Sequence, residues 1–455
     1  MSNSGKRVES AGDLEQAITY PTEAYTCRVY AQAERDKLWR KVWLQAGRVE
    51  DIPEPGNFLT FDVLDDSVII VRSADDSVRA FHNVCSHRGR RLVDVPKGRR
   101  NVRGRKSQFI CGFHGWRYDL EGRNTHIPHK DDWQGALGED CVSLSSVNVD
   151  CWGGWIWINL DSQCEPLQDY LAPAVEMLDP FELQNMRCRW RKWGVFDCNW
   201  KVAMEAFNET YHVSTTHPEF NQYGEFRGWA KVHGLHSNIG YEAARDMDKN
   251  QSAKLRLGTN ADPRISTAQM QEYTWEKANT KTTQTLVNAA RRLVDELPEG
   301  TPPGEVLQHW LASARADDEA RGVVWPSVDP EHVGKSGTAC QIFPNFQIGH
   351  SVNNMLCYSA RPNGYDPCQC IFEAAVYELY PEGEEPATEW EFCPPTEEAW
   401  CYVLSQDFSN MAAVQQGMKS TGFKGPKPNP YMERSTANLH RNLARYMETG
   451  SPSKL

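Results

Sequence analysis

Two short stretches, CSHRG at 85–89 and CGFHGW at 111–116, each set one cysteine and one histidine a residue or two apart, with a glycine close behind. Together Cys85, His87, Cys111 and His114 make a complete four-ligand set of two thiolates and two imidazoles. A structural zinc accepts such a set, but its usual spacing groups the cysteines together and the histidines together. Here each loop supplies one of each. That mixed pairing suits a [2Fe–2S] cluster in which Cys85 and Cys111 hold one iron while His87 and His114 hold the other. Replacing two anionic thiolates by neutral imidazoles lowers the negative charge on that iron, which raises the reduction potential.

A second candidate lies in NWKVAMEAFNETYHVSTTHPE, residues 199–219. His212 and His217 are five residues apart, which on a regular helix turns one side chain about 140° from the other. The pair can converge on one metal only if the helix is bulged or ends there. Pro218, directly after, fits an ending. Two histidines alone are a weak signal, since either fits a packed core equally well.

The two stretches share a setting. The pattern C-x-H…C-x-x-H, followed by Gly115-Trp116 and Tyr118-Asp119, resembles the Rieske domain of aromatic-ring-hydroxylating oxygenases. Asn199-Trp200-Lys201, then Glu205-Ala206-Phe207, then Y-H-x-x-x-x-H-P resembles the mononuclear iron motif of their α (terminal oxygenase) subunit. The resemblance covers roughly residues 40–440.

It implies a third iron ligand, Asp407, from the run Gln406-Asp407-Phe408-Ser409-Asn410. With His212 and His217 it would complete a 2-His-1-carboxylate triad with positions open for O₂ and substrate. It also implies that Glu209, where the family pattern has Asp, bridges His212 to His114 of a neighbouring subunit and passes electrons. Within the family, Glu there accompanies members that act on quaternary amines. Asn208 and Tyr211 either support the ligands or merely pack, and Trp116 is expected to cover the cluster loop.

The implied activity is that of a terminal oxygenase using O₂ and electrons from NAD(P)H, delivered by a ferredoxin or flavin reductase. The implied cofactors are a Rieske [2Fe–2S] cluster and a mononuclear Fe(II). The substrate expected is aromatic or polycyclic; the alternative is a monooxygenase or demethylase acting on a quaternary amine or methyl ether. Monooxygenation and dioxygenation both stay open. A homotrimer is implied, with or without a β subunit. A pure electron carrier would not need the second motif, and a zinc-stabilised binding module would hold neither iron nor acid-labile sulfide.

One departure from the family pattern stands out. The stretch between His87 and Cys111 is several residues longer and very basic, RGRRLVDVPKGRRNVRGRK. It reads as a solvated loop or, more sharply, as a docking patch for an acidic ferredoxin, in which case neutralising Arg99, Arg100 and Arg103 raises the apparent KM for the electron carrier.

The elements that must carry these residues follow from the texture of the chain. Its 455 residues, 40% hydrophobic and 24% charged, fit a folded protein of one to three domains. A net charge of −12 argues against a general nucleic-acid binder. No apolar run is long enough for a membrane span, and the first 16 residues lack an apolar stretch, so a cytoplasmic location is expected. There the 14 cysteines would be reduced; Cys27, Cys141, Cys188, Cys340 and Cys357 read as buried thiols, and Cys368 and Cys370 have no partner close in sequence.

Residues 1–40 read as helical and polar, with Leu14, Ala17, Ile18 and then Tyr30, Ala33 and Leu38 marking the faces. Residues 40–160 are rich in β-branched and aromatic residues broken by DD turns and read as a small all-β domain. Segments 340–352 and 370–381 read as strands, 282–297 as a helix, and 397–420 as one long helix. Helix and sheet mix without βαβ alternation, so the expected class is α+β on an antiparallel sheet. The organisation expected is a Rieske domain at 40–160 and a catalytic mononuclear iron domain built from 1–39 and 161–455, helix-grip-like by resemblance.

Overall fold

A computed structural model describes residues 17–96, 100–223, 227–242 and 262–454. Leu14 and Arg99 lie outside the described residues. Two sheets carry the molecule. The first holds β1 (Leu44–Arg48), β2 (Asn57–Val63), β3 (Asp66–Arg72), β4 (Val78–His82), β5 (Arg103–Arg105), β9 (Ser146–Trp152) and β10 (Trp155–Asn159). They pair antiparallel in the order β1-β10-β9-β4-β3-β2-β5. Between β5 and β9 a small three-stranded sheet forms from β6 (Phe109–Ile110), β7 (Arg117–Tyr118) and β8 (Asn124–His126).

Period-two alternation points the first sheet's side chains to opposite faces. Phe58, Ile69, Val71 and Phe81 pack on one side with Cys85, Cys111, Trp116 and Tyr118. Leu59, Phe61, Ile70, Ala80, Ile156 and Ile158 pack on the other with residues of the iron-motif segment, among them Trp200, Ala203 and Phe207.

The second sheet has eight strands: β11 (Arg187–Phe196), β12 (Arg227–His233), β13 (His236–Glu242), β14 (Ala339–Ile342), β15 (Phe346–His350), β16 (Asn354–Pro362), β17 (Cys370–Glu378) and β18 (Glu391–Phe392). Their order is β12-β13-β14-β15-β16-β17-β11-β18, antiparallel except for the short β18 beside β11. One face carries Leu356, Tyr358, Ala360, Phe372, Ala374 and Val376 against α1 (Trp200–Glu205) and α4 (Tyr402–Gly417). The other carries Ile348, Met355, Cys357, Ala375 and Tyr377 against α3 (Gln284–Glu296) and the helix Leu167–Leu178. A last helix, α5 (Arg434–Met447), follows the Pro-rich loop.

The α+β class and antiparallel sheets match the reading of the sequence. Some details differ. The segment 397–420 is not one helix: Cys401, at φ +126°, separates a single turn at Glu397–Trp400 from α4. Cys141 is exposed and Cys27 half-buried, whereas Cys188, Cys340 and Cys357 are buried as expected. Cys370 does have a thiol neighbour, Cys198, with sulfurs 3.8 Å apart, brought together across 172 residues.

The basic loop is also corrected. Arg100 is buried, its side chain 4% exposed, and pairs with Glu373 of β17 while lying over Trp390. Arg103 bridges Asp51 and Glu389. Burial, against the pull of Glu373, brings the Arg100 guanidinium down to about 9. Neither arginine is free to dock a partner; both fasten the loop to the second sheet. Among the described residues no helix is long and apolar enough to cross a membrane.

Candidate functional site

The two Cys/His loops fold alike. In the first, the Cys85 amide donates to the Arg90 carbonyl at 2.8 Å and the Gly89 amide donates to the Cys85 carbonyl at 3.0 Å. In the second, the Cys111 amide donates to the Trp116 carbonyl and the Gly115 amide to the Cys111 carbonyl, at the same two distances. Both glycines have φ +74°, a left-handed conformation that a side chain disfavours. This is why a glycine follows each histidine: it turns the chain so that cysteine and histidine face the same point.

The His87 and His114 rings lie 4.5 Å apart, edge to face, and the Nδ1 of each is buried without a hydrogen-bond partner. Buried polar atoms without partners are rare and ask for an occupant. The Tyr118 hydroxyl sits 3.1 Å from Cys85 Sγ. Burial raises the Cys85 thiol, and the neighbouring Cys111 adds to that. Two thiols and two free imidazole nitrogens on one side of paired turns fit a [2Fe–2S] cluster of mixed ligation. Trp116 stacks on the His87 ring at 5.0 Å, as expected for a cover, and Trp133, which the sequence did not single out, approaches the same ring edge-on at 5.8 Å.

The second group needs three elements. His212 precedes the single-turn helix α2 (Val213–Thr216), and His217 follows it with φ −119° and ψ 63°. The helix therefore ends at His217, and the two rings close to 5.4 Å. Asp407, on the inner face of α4, puts Oδ1 3.1 Å from His217 Nε2 and 3.4 Å from His212 Nε2. One ligand atom from each of His212, His217 and Asp407 falls within 4.8 Å of the others. Among the described residues this is the one such convergence of three potential ligands. Two imidazoles and one carboxylate on one side of a point suit a mononuclear iron with open positions.

Surrounding groups fix the rings. Glu209 Oε1 holds His212 Nδ1 at 2.6 Å, and its other oxygen accepts the amides of Tyr211 and His212. Gln406 Oε1 lies 2.9 Å from His217 Nδ1, while Gln406 Nε2 donates to Glu219 and the Tyr402 hydroxyl donates to the same carboxylate. In both histidines burial disfavours the proton, yet the acids outweigh it and the pKa is raised: Glu209 acts on His212, Asp407 on His217. Asn208 is fully buried with its side-chain amide unpartnered among the described residues, and Tyr211 is exposed. The sequence did not reveal Glu219 or Tyr402, and the only available hint was that Gln406 precedes the predicted ligand.

Residues 42–147 match the Rieske [2Fe-2S] domain, and residues 183–449 match the ring hydroxylating alpha subunit (catalytic domain). The glycine betaine monooxygenase oxygenase subunit of Pseudomonas aeruginosa is 30% identical over 205 residues, 45% of this chain and 46% of that protein. The large oxygenase component of the naphthalene 1,2-dioxygenase system of Pseudomonas putida is 34% identical over 204 residues, 43% of each chain. The matched stretch thus spans less than half of either curated relative. The fold is shared with a quaternary ammonium Rieske monooxygenase solved with L-carnitine, at a TM-score of 0.64 and 17% identity over 96% of this chain and 97% of that one. These domain families imply a Rieske cluster and a mononuclear iron. With its catalytic-domain match running through more than half of its length, the chain belongs to the family of ring hydroxylating alpha subunits.

Proposed function

We propose that this chain is the terminal oxygenase of a Rieske non-heme iron system that hydroxylates an aromatic or polycyclic substrate. The observation that carries the reading is the meeting of His212, His217 and Asp407 beside a second, separate Cys₂His₂ group, because an electron carrier or a zinc module has no use for both. In this reading Cys85, His87, Cys111 and His114 hold the cluster, and His212, His217 and Asp407 hold the iron. When bound, the iron supplies the O₂ chemistry and the cluster supplies electrons one at a time.

The protein's own part is positional. Glu209 fixes the His212 ring through Nδ1 and leaves Nε2 directed at Asp407. Gln406 does the same for His217. Phe207, two residues before Glu209, stacks on Tyr358 with ring centres 4.0 Å apart and anchors the segment in the apolar core. Glu209 is also the group through which an electron would arrive from His114 of an adjacent copy, which makes a homotrimer, alone or with a β subunit, the assembly proposed. The electron donor is a ferredoxin or flavin reductase fed by NAD(P)H, and the setting is cytoplasmic.

A second reading is oxidation of a quaternary amine. Glu209 in place of Asp favours it, and so does the likeness to the glycine betaine protein. A product screen under ¹⁸O₂ tests both readings, using the purified protein, an NADH-dependent reductase and a panel of aromatic acids, polycyclic compounds and quaternary amines. Label in a ring product is expected. Label only in an amine product would move the chain to the second reading, and NADH use with no labelled product from any member would sink the first.

A further inference from the structure

One cation in the catalytic half serves neither group of metal-binding residues. A short segment, residues 279–283, joins the helical stretch Pro263–Ala278 to α3. It is tied at one end to the residue before α4, where the Cys401 thiol donates to the Ala278 carbonyl, and at the other to the residue before β14, where the Lys281 ammonium donates to the Thr338 carbonyl at 3.1 Å. Two of its residues, Asn279 and Lys281, hold left-handed backbone at φ +52° and +57°. Such conformations are uncommon for residues other than glycine and persist where the surrounding structure holds them.

What the bend aims is Nζ. A Cβ at Gly349 of β15 would fall 2.4 Å from Lys281 Nζ and 2.9 Å from its Cε, so the ammonium occupies the room that the glycine leaves. Gly349 is on the same face of β15 as Gln347, whose side-chain amide donates to the carbonyl of Phe207, two residues before Glu209. Two residues along a strand is roughly 7 Å. Lys281 therefore stands on the surface that also carries the iron-motif segment.

Its surroundings do not satisfy it. Lys281 keeps exposed surface between the buried Thr280 and Thr282, yet burial brings its pKa down to about 8. The side chain thus lies along the sheet, against Gly349, and keeps one side open. Among the described residues no carboxylate lies within 4.0 Å of it; its hydrogen-bond acceptor is one neutral carbonyl. An ammonium has three donors, and with one of them given to a neutral carbonyl the others are free for an anion.

We propose that Lys281 anchors a carboxylate of the substrate, placing the rest of the molecule along β15 toward Phe207, Tyr358 and Asp407. This rests on the oxygenase reading and narrows it: the substrate is an organic acid, whether an aromatic acid or a betaine-type zwitterion, and not a neutral hydrocarbon or a simple cation. Lys281 is then a specificity residue, one that sets which end of the substrate faces the iron ligands.

Anaerobic titration calorimetry on the iron-loaded protein tests it with paired probes that differ in one group: p-toluate against p-toluamide, and glycine betaine against choline. At least one carboxylate is expected to bind about tenfold or more tightly than its counterpart. Lys281→Met should abolish that preference and Lys281→Arg should keep it. The proposal is overturned if the counterparts bind as tightly as the acids, if neither acid binds, or if Lys281→Met retains the preference. The two levels of the argument fail differently. Label from ¹⁸O₂ in a neutral ring compound, with no acid bound, removes Lys281 and leaves the oxygenase; Lys281-dependent binding with no labelled product does the reverse.

Discussion

The two groups of residues proposed to bind metal are built by opposite means. The Cys/His loops are local: each is a single turn closed by the same pair of backbone hydrogen bonds, and each histidine is aimed by a left-handed glycine. The His/His/Asp group is distant: His217 and Asp407 are 190 residues apart, and they meet because α4 packs Leu404, Phe408 and Met411 into the core that also holds α1. Local turns carry their geometry with them, whereas a long-range site is only as well formed as the packing beneath it. The first should tolerate changes in the core, and the second should not.

The sharpest break between them comes from removing one ligand from each. Asp407→Ala is expected to lower iron from about three to about two per chain with the cluster's visible absorption intact. Cys111→Ser is expected to do the converse, losing the absorption and acid-labile sulfide while His212, His217 and Asp407 still bind one iron. Loss of both metals in either variant would mean that the two groups are not separable.

Next in size is Lys201, on α1. Its ammonium sits 2.6 Å from Glu34 Oε1, with both side chains buried to within 1%. Lys201→Met leaves the buried Glu34 carboxylate without its counter-charge, with the Trp200 indole N–H still donating to it at 3.2 Å, and should cost about 3–5 kcal/mol in urea unfolding. Iron affinity should suffer more than cluster absorption, because α1 leads directly into the iron motif. An unchanged unfolding midpoint would show that the pair contributes nothing.

Acid gives a third contrast. His236 of β13 donates Nε2–H to the Tyr170 carbonyl at 2.6 Å and accepts the Phe343 amide at Nδ1, so it is a neutral ring clamping the helix Leu167–Leu178 to the sheet. Burial lowers its pKa to about 4, well below the unfolded value near 6.5. The neutral ring's contribution is whole above about pH 6.5 and is lost as the pH falls toward 4, on the order of 3 kcal/mol. Urea midpoints across that window should fall more steeply for the parent protein than for His236→Gln; equal slopes would remove His236 from the account.

The smallest effect expected is on the local side. A Cβ at Gly115 meets Pro128 Cγ at 3.5 Å, an ordinary contact, so Gly115→Ala pays only for its φ of +74°. About 1–2 kcal/mol is expected, with a cluster that forms but is lost faster on warming. A larger loss would mean that the second loop is less self-contained than its hydrogen bonds suggest.

The same contrast explains what could be read in the sequence. The Cys/His loops were legible because residue types, spacing and glycines all lie within a few positions. His212 and His217 were legible once Pro218 pointed to a helix ending, and the helix does end there. Asp407 came only from its register in a family resemblance. Nothing along the chain could pair Gln406 with His217, Tyr402 with Glu219 or Arg100 with Glu373, because those partners are chosen by packing across 183 to 273 residues. The basic loop misled for that reason: its charge was visible and its counter-charge was not. The break at Cys401 left no trace in the hydrophobic pattern either, since a single left-handed residue does not change which side chains recur.

The strand Trp155–Asn159 has a consequence for how such proteins can be recombined. Its isoleucines belong to one core and its tryptophans, Trp155 and Trp157, to another that includes Leu167, Phe346 and Tyr377. An exchange of front halves between relatives, cut near residue 160, would import two aromatic side chains shaped for a different partner surface. A workable crossover would have to move Trp155 and Trp157 together with the residues that receive them, so the unit of inheritance here is the interlocked wall and not the domain.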